Sequence, residues 1–230
     1  MKNKIKIFSM LILTIGMLTF AACTSGEKKI DNANNMDEMG NMDDTKMKNM
    51  EASQKMMNAM NTMMTKMSSM EMTHDFDYDF AKMMIDHHEG AIEMAHIEIA
   101  SGGDQKIKSL AEKMIAAQKA EQDKLRAIMA NHNPVSSQTK PNDDHAAGGH
   151  NELMVAMKEN ENSMKSMTMT GDVDKDFVMM MIPHHQSAIT MADNEISHGH
   201  HVELKLMAQQ MRVDQASEIK EMQLWLENHK

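Results

Sequence analysis

Asp75-Phe76-Asp77-Tyr78-Asp79-Phe80 opens a stretch that runs through Met83-Met84-Ile85-Asp86-His87-His88 to Ala91-Ile92-Glu93-Met94-Ala95. Displaced by 97 positions, the same text returns as Asp172-Val173-Asp174-Lys175-Asp176-Phe177, Met180-Met181-Ile182-Pro183-His184-His185 and Ala188-Ile189-Thr190-Met191-Ala192. Residues 57–132 lie over 154–229 without a gap and with roughly 30 identities, so the unit is an internal duplication.

Each copy reads as two helices. The first runs from about Asp77 to Ser101, and its counterpart from Asp174 to His198. Acidic residues at the start suit the positive end of a helix, and Gly102-Gly103 and Gly199 stop it. The second runs from about Asp104 to Asn131, its counterpart from His201 to His229. Ile107, Leu110, Ala111, Met114, Ile115, Gln118, Leu125 and Ile128 recur there in three-and-four steps. Pro183 removes a backbone donor one residue before His184 and is expected to kink its helix; the first copy has Asp86 instead.

Short turns inside the units and a long Pro- and Gly-containing linker between them predict an all-α four-helix bundle, built from two repeated helical hairpins about a pseudo-twofold axis. Additional Met-rich helical segments, Ser53 to Met70 and Glu152 to Met167, are expected at the ends of the bundle. The chain then divides into a signal peptide (1–22), a disordered Met-rich tether (23–52), a first repeat (53–132), a linker (133–150) and a second repeat (151–230).

Composition narrows the function. Methionine supplies 33 of 230 residues while aromatics are 3%, so the apolar content is not that of an ordinary core. The formal charge of −10 argues against nucleic acid, whose phosphates call for Lys and Arg. Lys2, Lys4 and Lys6, an apolar run from Ile7 to Ala22 and the small residues Ala21-Ala22 before Cys23 form a secretory signal. Cys23, the single cysteine, stands where bacterial lipoproteins carry their lipid, with Phe20 departing from the usual aliphatic residue. A lipid anchor would hold the chain on an envelope membrane, periplasmic or outer-membrane associated.

The chemistry lies in the duplicated histidine pairs. On one helix Met83, His87 and Met94 share a stripe, and Met84 and His88 the next; Met180, Met181, His184, His185 and Met191 repeat the set. Neutral thioether and imidazole donors suit Cu(I), and by extension Ag(I), rather than Zn(II) or Mg(II). Met-x-x-Met spacing adds further sulfurs at Met36-Met39-Met42, Met47-Met50, Met57-Met60-Met63, Met64-Met67-Met70, Met154-Met157 and Met164-Met167, with Met169 beside the last.

His-His-x-x-Ala-Ile-x-Met-Ala, at His87 to Ala95 and again at His184 to Ala192, resembles a bacterial secreted family catalogued as domain of unknown function 305. The resemblance covers most of residues 75–229 and implies a ferritin-like four-helix bundle of the envelope, with some relatives linked to copper binding and tolerance. It carries motif roles to His87, His88, Met94, His184, His185 and Met191. His96 facing Asp193, and Asp86 facing Pro183, imply unequal half-sites.

The favoured reading is a non-enzymatic protein that sequesters Cu(I) or Ag(I), with copper-exporting or copper-delivering envelope proteins as its partners. One alternative is a ferritin-like di-iron or copper oxidase, because Glu93-Met94-Ala95-His96 and Glu195-Ile196-Ser197-His198 carry the Glu-x-x-His spacing. These two are not equivalent in the repeat, and Glu121 with Glu218 is the one symmetric acidic pair left to bridge a metal. The other alternative is a structural lipoprotein with a Met-rich core.

Overall fold

The computed structural model describes residues 43–73, 75–132 and 144–229, the side chains of 144–148 and 150 excepted. The signal peptide, Cys23, Met36-Met39-Met42 and most of the linker lie outside the described residues. Every regular element among the described residues is an α-helix: α1 (Asp44–Ser68), α2 (Phe76–Ser101), α3 (Gln105–Asn131), α4 (Asp144–Lys165), α5 (Val173–His198) and α6 (Val202–Asn228).

Aspartates start four of them. The side chains of Asp43, Asp75, Asp104 and Asp172 accept backbone N–H groups of the first turns of α1, α2, α3 and α5, and His201 caps α6 in the same way. The two hairpins of the duplication are present, α2 against α3 and α5 against α6, joined through extensive packing of α2 on α5. Helix α5 runs unbroken through Pro183.

Two expectations are corrected. The segment assigned to a tether is helical from Asp44, because Asp43 caps it and Ala52, Ser53 and Met56 are already buried; likewise α4 begins at Asp144, inside the segment assigned to the linker. The Met-rich helices also do not sit at the ends of the bundle. Helix α1 lies along α2, and α4 along α5. Lys66 of α1 bridges to Asp86 at 2.6 Å, and Met63 seats against Gly90, where a Cβ would stand 2.7 Å from its sulfur. Met56, Met60, Met63 and Met67 form the buried stripe, at steps of four, three and four, so here methionine fills a core as leucine would.

The acidic starts of α2 and α5 do more than suit the helix ends. Asp77 accepts the backbone N–H groups of His200 and His201 in the α5–α6 turn, at 2.9 and 2.8 Å. Asp174 accepts those of Gly103 and Asp104 in the α2–α3 turn, at 2.9 and 2.8 Å. Each repeat thus pins the other's hairpin turn. Glu98 lies against Asp174, and Glu195 against Asp77; burial first, then the neighbouring aspartate, pushes both glutamates up to about 9. Each holds its proton beside the aspartate. This explains Gly102 and Gly199, whose φ of −65° any residue adopts: a Cβ there would land on the Glu98 or Glu195 carboxyl.

Candidate metal centre

His87, His88, His184 and His185 sit at mid-length of α2 and α5, where these helices face each other, and none exposes more than 1% of its surface. The His87 and His184 rings are 3.7 Å apart between centroids and tilted by 34°. Each adjacent pair on one helix is about 6 Å apart, 6.3 Å for His87–His88 and 6.0 Å for His184–His185.

Every Nε2 has a partner. That of His88 meets Glu121 Oε2 at 2.8 Å, and that of His185 meets Glu218 Oε2 at 2.6 Å. A carboxylate only accepts, so both Nε2 atoms carry hydrogen. His184 Nε2 meets the His87 carbonyl at 3.1 Å and must donate as well. His87 Nε2 meets Ser187 Oγ at 2.8 Å. That hydroxyl spends its single hydrogen on the His184 carbonyl, also at 2.8 Å, so it accepts from His87. All four rings are therefore donors at Nε2.

The opposite nitrogens are the consequence. Nδ1 of His87, His88, His184 and His185 is buried without a hydrogen-bond partner in each case. In a neutral ring already protonated at Nε2, Nδ1 bears the lone pair. His87 and His184 are held well below the ordinary imidazole range, chiefly by burial and then by the charge of neighbouring histidines. A buried acceptor without a donor costs about 1–3 kcal/mol, so a donor or a cation that reached these nitrogens would recover that cost. An imidazole whose far nitrogen is fixed by a carboxylate or carbonyl is the usual outfit of a metal-binding histidine.

Buried methionines lie on the same two helices. Met83, Met84, Met94, Met180, Met181 and Met191 are all fully buried, with Met83 and Met84 one turn from His87 and His88, and Met180 and Met181 one turn from His184 and His185. Among the described residues no group of three or more His, Cys, Asp or Glu side chains is placed to hold a metal. The Glu-x-x-His pairs do not assemble: Glu93 and His96 are exposed on α2, and Glu195 is committed to Asp77.

A second concentration of sulfur lies outside. Met57 and Met64 of α1 and Met154, Met157 and Met164 of α4 line a groove of about 580 Å³ between the two helices. Asn160, buried beside it, points Nδ2 at the sulfurs of Met64 (3.9 Å) and Met60 (4.0 Å). Met47 and Met50 are exposed.

Sequence reasoning singled out Glu121 and Glu218 only as bridging candidates of the di-iron alternative; their part as histidine anchors, and Ser187 as a relay, it missed. The symmetric survival of Glu121 and Glu218 in the repeat was the available signal. Gln118 and Gln215, another repeat-equivalent pair, are buried with both amide atoms unpartnered, one turn before those glutamates.

The chain matches the model of the family described as domain of unknown function (DUF305), over residues 22–129 and 77–226. No curated protein matches it. Among solved structures, CopM in the silver-bound form obtained by soaking is 27% identical, with a TM-score of 0.49, over 66% of this chain and 95% of that one. A DUF305 fragment from Deinococcus radiodurans is 20% identical, with a TM-score of 0.48, over 66% of this chain and 96% of that one.

Proposed function

The chain belongs to the DUF305 family, and from that premise we propose that it binds and sequesters Cu(I), with Ag(I) as an equivalent guest, between α2 and α5. One observation carries the reading: four buried imidazoles, each fixed as a donor at Nε2, keep Nδ1 without a protein partner on two facing helices that also bury six methionines. Soft neutral donors and a dry, low-dielectric site favour a polarisable singly charged ion over a hard divalent one. His87, His88, His184 and His185 would hold it, with Met83, Met84, Met94, Met180, Met181 and Met191 completing the shell. The methionines of the α1–α4 groove supply a separate, outer set of thioethers.

Titration with Cu(I) against a chromophoric chelator tests this. Changing the four histidines together to alanine should abolish the tight phase, and X-ray absorption of the loaded protein should show sulfur and nitrogen in the first shell. A first shell of oxygen alone, or unchanged binding by the variant, would remove the proposal.

We also infer an envelope location through the signal at residues 1–22 and lipid on Cys23, with contribution to copper tolerance or trafficking as the role and copper-exporting or copper-delivering proteins as partners. Mass spectrometry of the mature N-terminus, compared with Cys23→Ser, checks the anchor. We propose no catalytic role; Fe(II)-dependent oxygen uptake by the purified protein would contradict that.

A further inference from the structure

The spacing of the four imidazoles divides them into pairs. Across the repeats, the His87 and His184 rings stack with their centres 3.7 Å apart. Along each helix, adjacent ring centres are 6.3 Å apart for His87–His88 and 6.0 Å for His184–His185. A metal ion bonded in the plane of an imidazole lies about 3.2 Å from the ring centre, a bond of about 2 Å plus the ring radius. One ion shared by His87 and His184 would therefore see its two rings only about 70° apart, too acute for two ligands side by side. One ion shared within a pair would see its rings about 160° apart in the first repeat and about 140° apart in the second. Angles that wide suit a closed-shell monovalent ion between two donors, with a side position left for a thioether.

The unpartnered nitrogens lead to the same division. Nδ1 is bonded to the ring carbon that joins the side chain, so it lies at the root of the residue, on the side of its own helix; Nε2 lies at the tip. In all four rings the tip is engaged by another helix, α5 and α3 for His87 and His88, α2 and α6 for His184 and His185. The root nitrogen is without a partner in each. Charge agrees with the count. One carboxylate stands behind each pair, Glu121 at His88 and Glu218 at His185, so each pair has one negative charge to offset one buried monovalent ion. Resting on the cuprous reading above, we propose that the centre is two sites rather than one. His87 with His88, and His184 with His185, each hold one Cu(I) or Ag(I) through Nδ1, and the stacked rings of His87 and His184 are the partition between them.

Native mass spectrometry of the purified protein titrated with Ag(I) counts the ions, and chelator competition with Cu(I) ranks them. Two tight ions per chain are expected. His87→Ala with His88→Ala should keep one of them, and His184→Ala with His185→Ala should keep the other, each with its affinity changed by less than about tenfold. X-ray absorption of the unaltered protein loaded with two equivalents of Cu(I) should count two nitrogens per metal, a reading that needs no variant to fold. A single tight ion in the unaltered protein, one nitrogen per metal, or loss of all tight binding in either pair variant with unchanged helical circular dichroism overturns the two-site arrangement and leaves cuprous binding itself standing. No tight ion in the unaltered protein removes the reading on which the arrangement rests.

Discussion

Ser187 Oγ stands 2.8 Å from His87 Nε2, at the position that the other repeat fills with Gly90. Where Ser187 relays His87 to the His184 carbonyl, His184 reaches the His87 carbonyl directly. The two halves are thus tied to one another reciprocally, once with a hydroxyl in the link and once without it.

Removing that link exposes its worth. Ser187→Ala leaves the buried Nε2–H of His87 without its acceptor, so unfolding free energy should fall by about 1–3 kcal/mol in urea. Under the proposed function, Cu(I) affinity drops while stoichiometry is kept. An equal loss from an alanine at exposed Ser197 would show that the effect is not specific to the link.

Glu121 and Glu218 hold the tautomers of His88 and His185. Replacing both by alanine frees Nε2 and lets the proton move to Nδ1, closing the lone pair to a ligand. Metal affinity should fall about 10- to 100-fold per partner, the ordinary cost of losing the group behind a ligating imidazole. Chelator competition with each single variant reads this; unchanged affinity would divorce these glutamates from the site.

The protonated glutamates give a pH signature. Each folded carboxyl is raised to about 9 against an ordinary value of 4.5. Between those values the folded chain keeps a proton that the unfolded chain has released, so stability declines as pH rises through the window. The slope is at most about 1.4 kcal/mol per pH unit for each group. Around Glu98 the facing charges are Asp174, Asp104 and Lys108; around Glu195 they are Asp77, Asp75 and Lys205. Glu98→Gln with Glu195→Gln keeps a neutral side chain of the same shape beside each aspartate and removes the titration. Urea midpoints from pH 5 to 9 should flatten in that variant; an equally steep decline would place its origin elsewhere.

Gly102→Ala tests the close approach rather than the backbone. The residue's φ is ordinary, so the cost arises from displacing the Glu98 carboxyl and should be about 1–3 kcal/mol. In a Glu98→Ala background the same substitution should cost much less. Equal costs in both backgrounds would mean that the glycine answers to something other than that side chain.

The duplication made the helices legible, because periodicity, Asp caps and glycine stops repeat at one offset. It also put His87 beside His184 before any coordinate was known. The contacts between repeats were not legible. Asp77 and Asp174 read as dipole partners of their own helices, whereas their carboxylates reach backbone N–H groups in the opposite hairpin turn, at a separation that no local pattern encodes. The lateral docking of α1 was hidden for a related reason. Met56, Met60, Met63 and Met67 announce an amphipathic helix, but its seat depends on the missing side chain of Gly90, thirty residues or so downstream. Methionine itself blurred the site, since the same side chain fills the core at Met60 and lines the groove at Met64.

Under the proposed function, four imidazoles with almost no exposed surface would leave a guest ion no open doorway. Its departure would then wait for the helices to part, so residence time would follow the breathing of the bundle more than the strength of any single coordinate bond. A molecule built this way would behave as a vault: slow to fill, slower to empty, and opened by whatever loosens the packing around it.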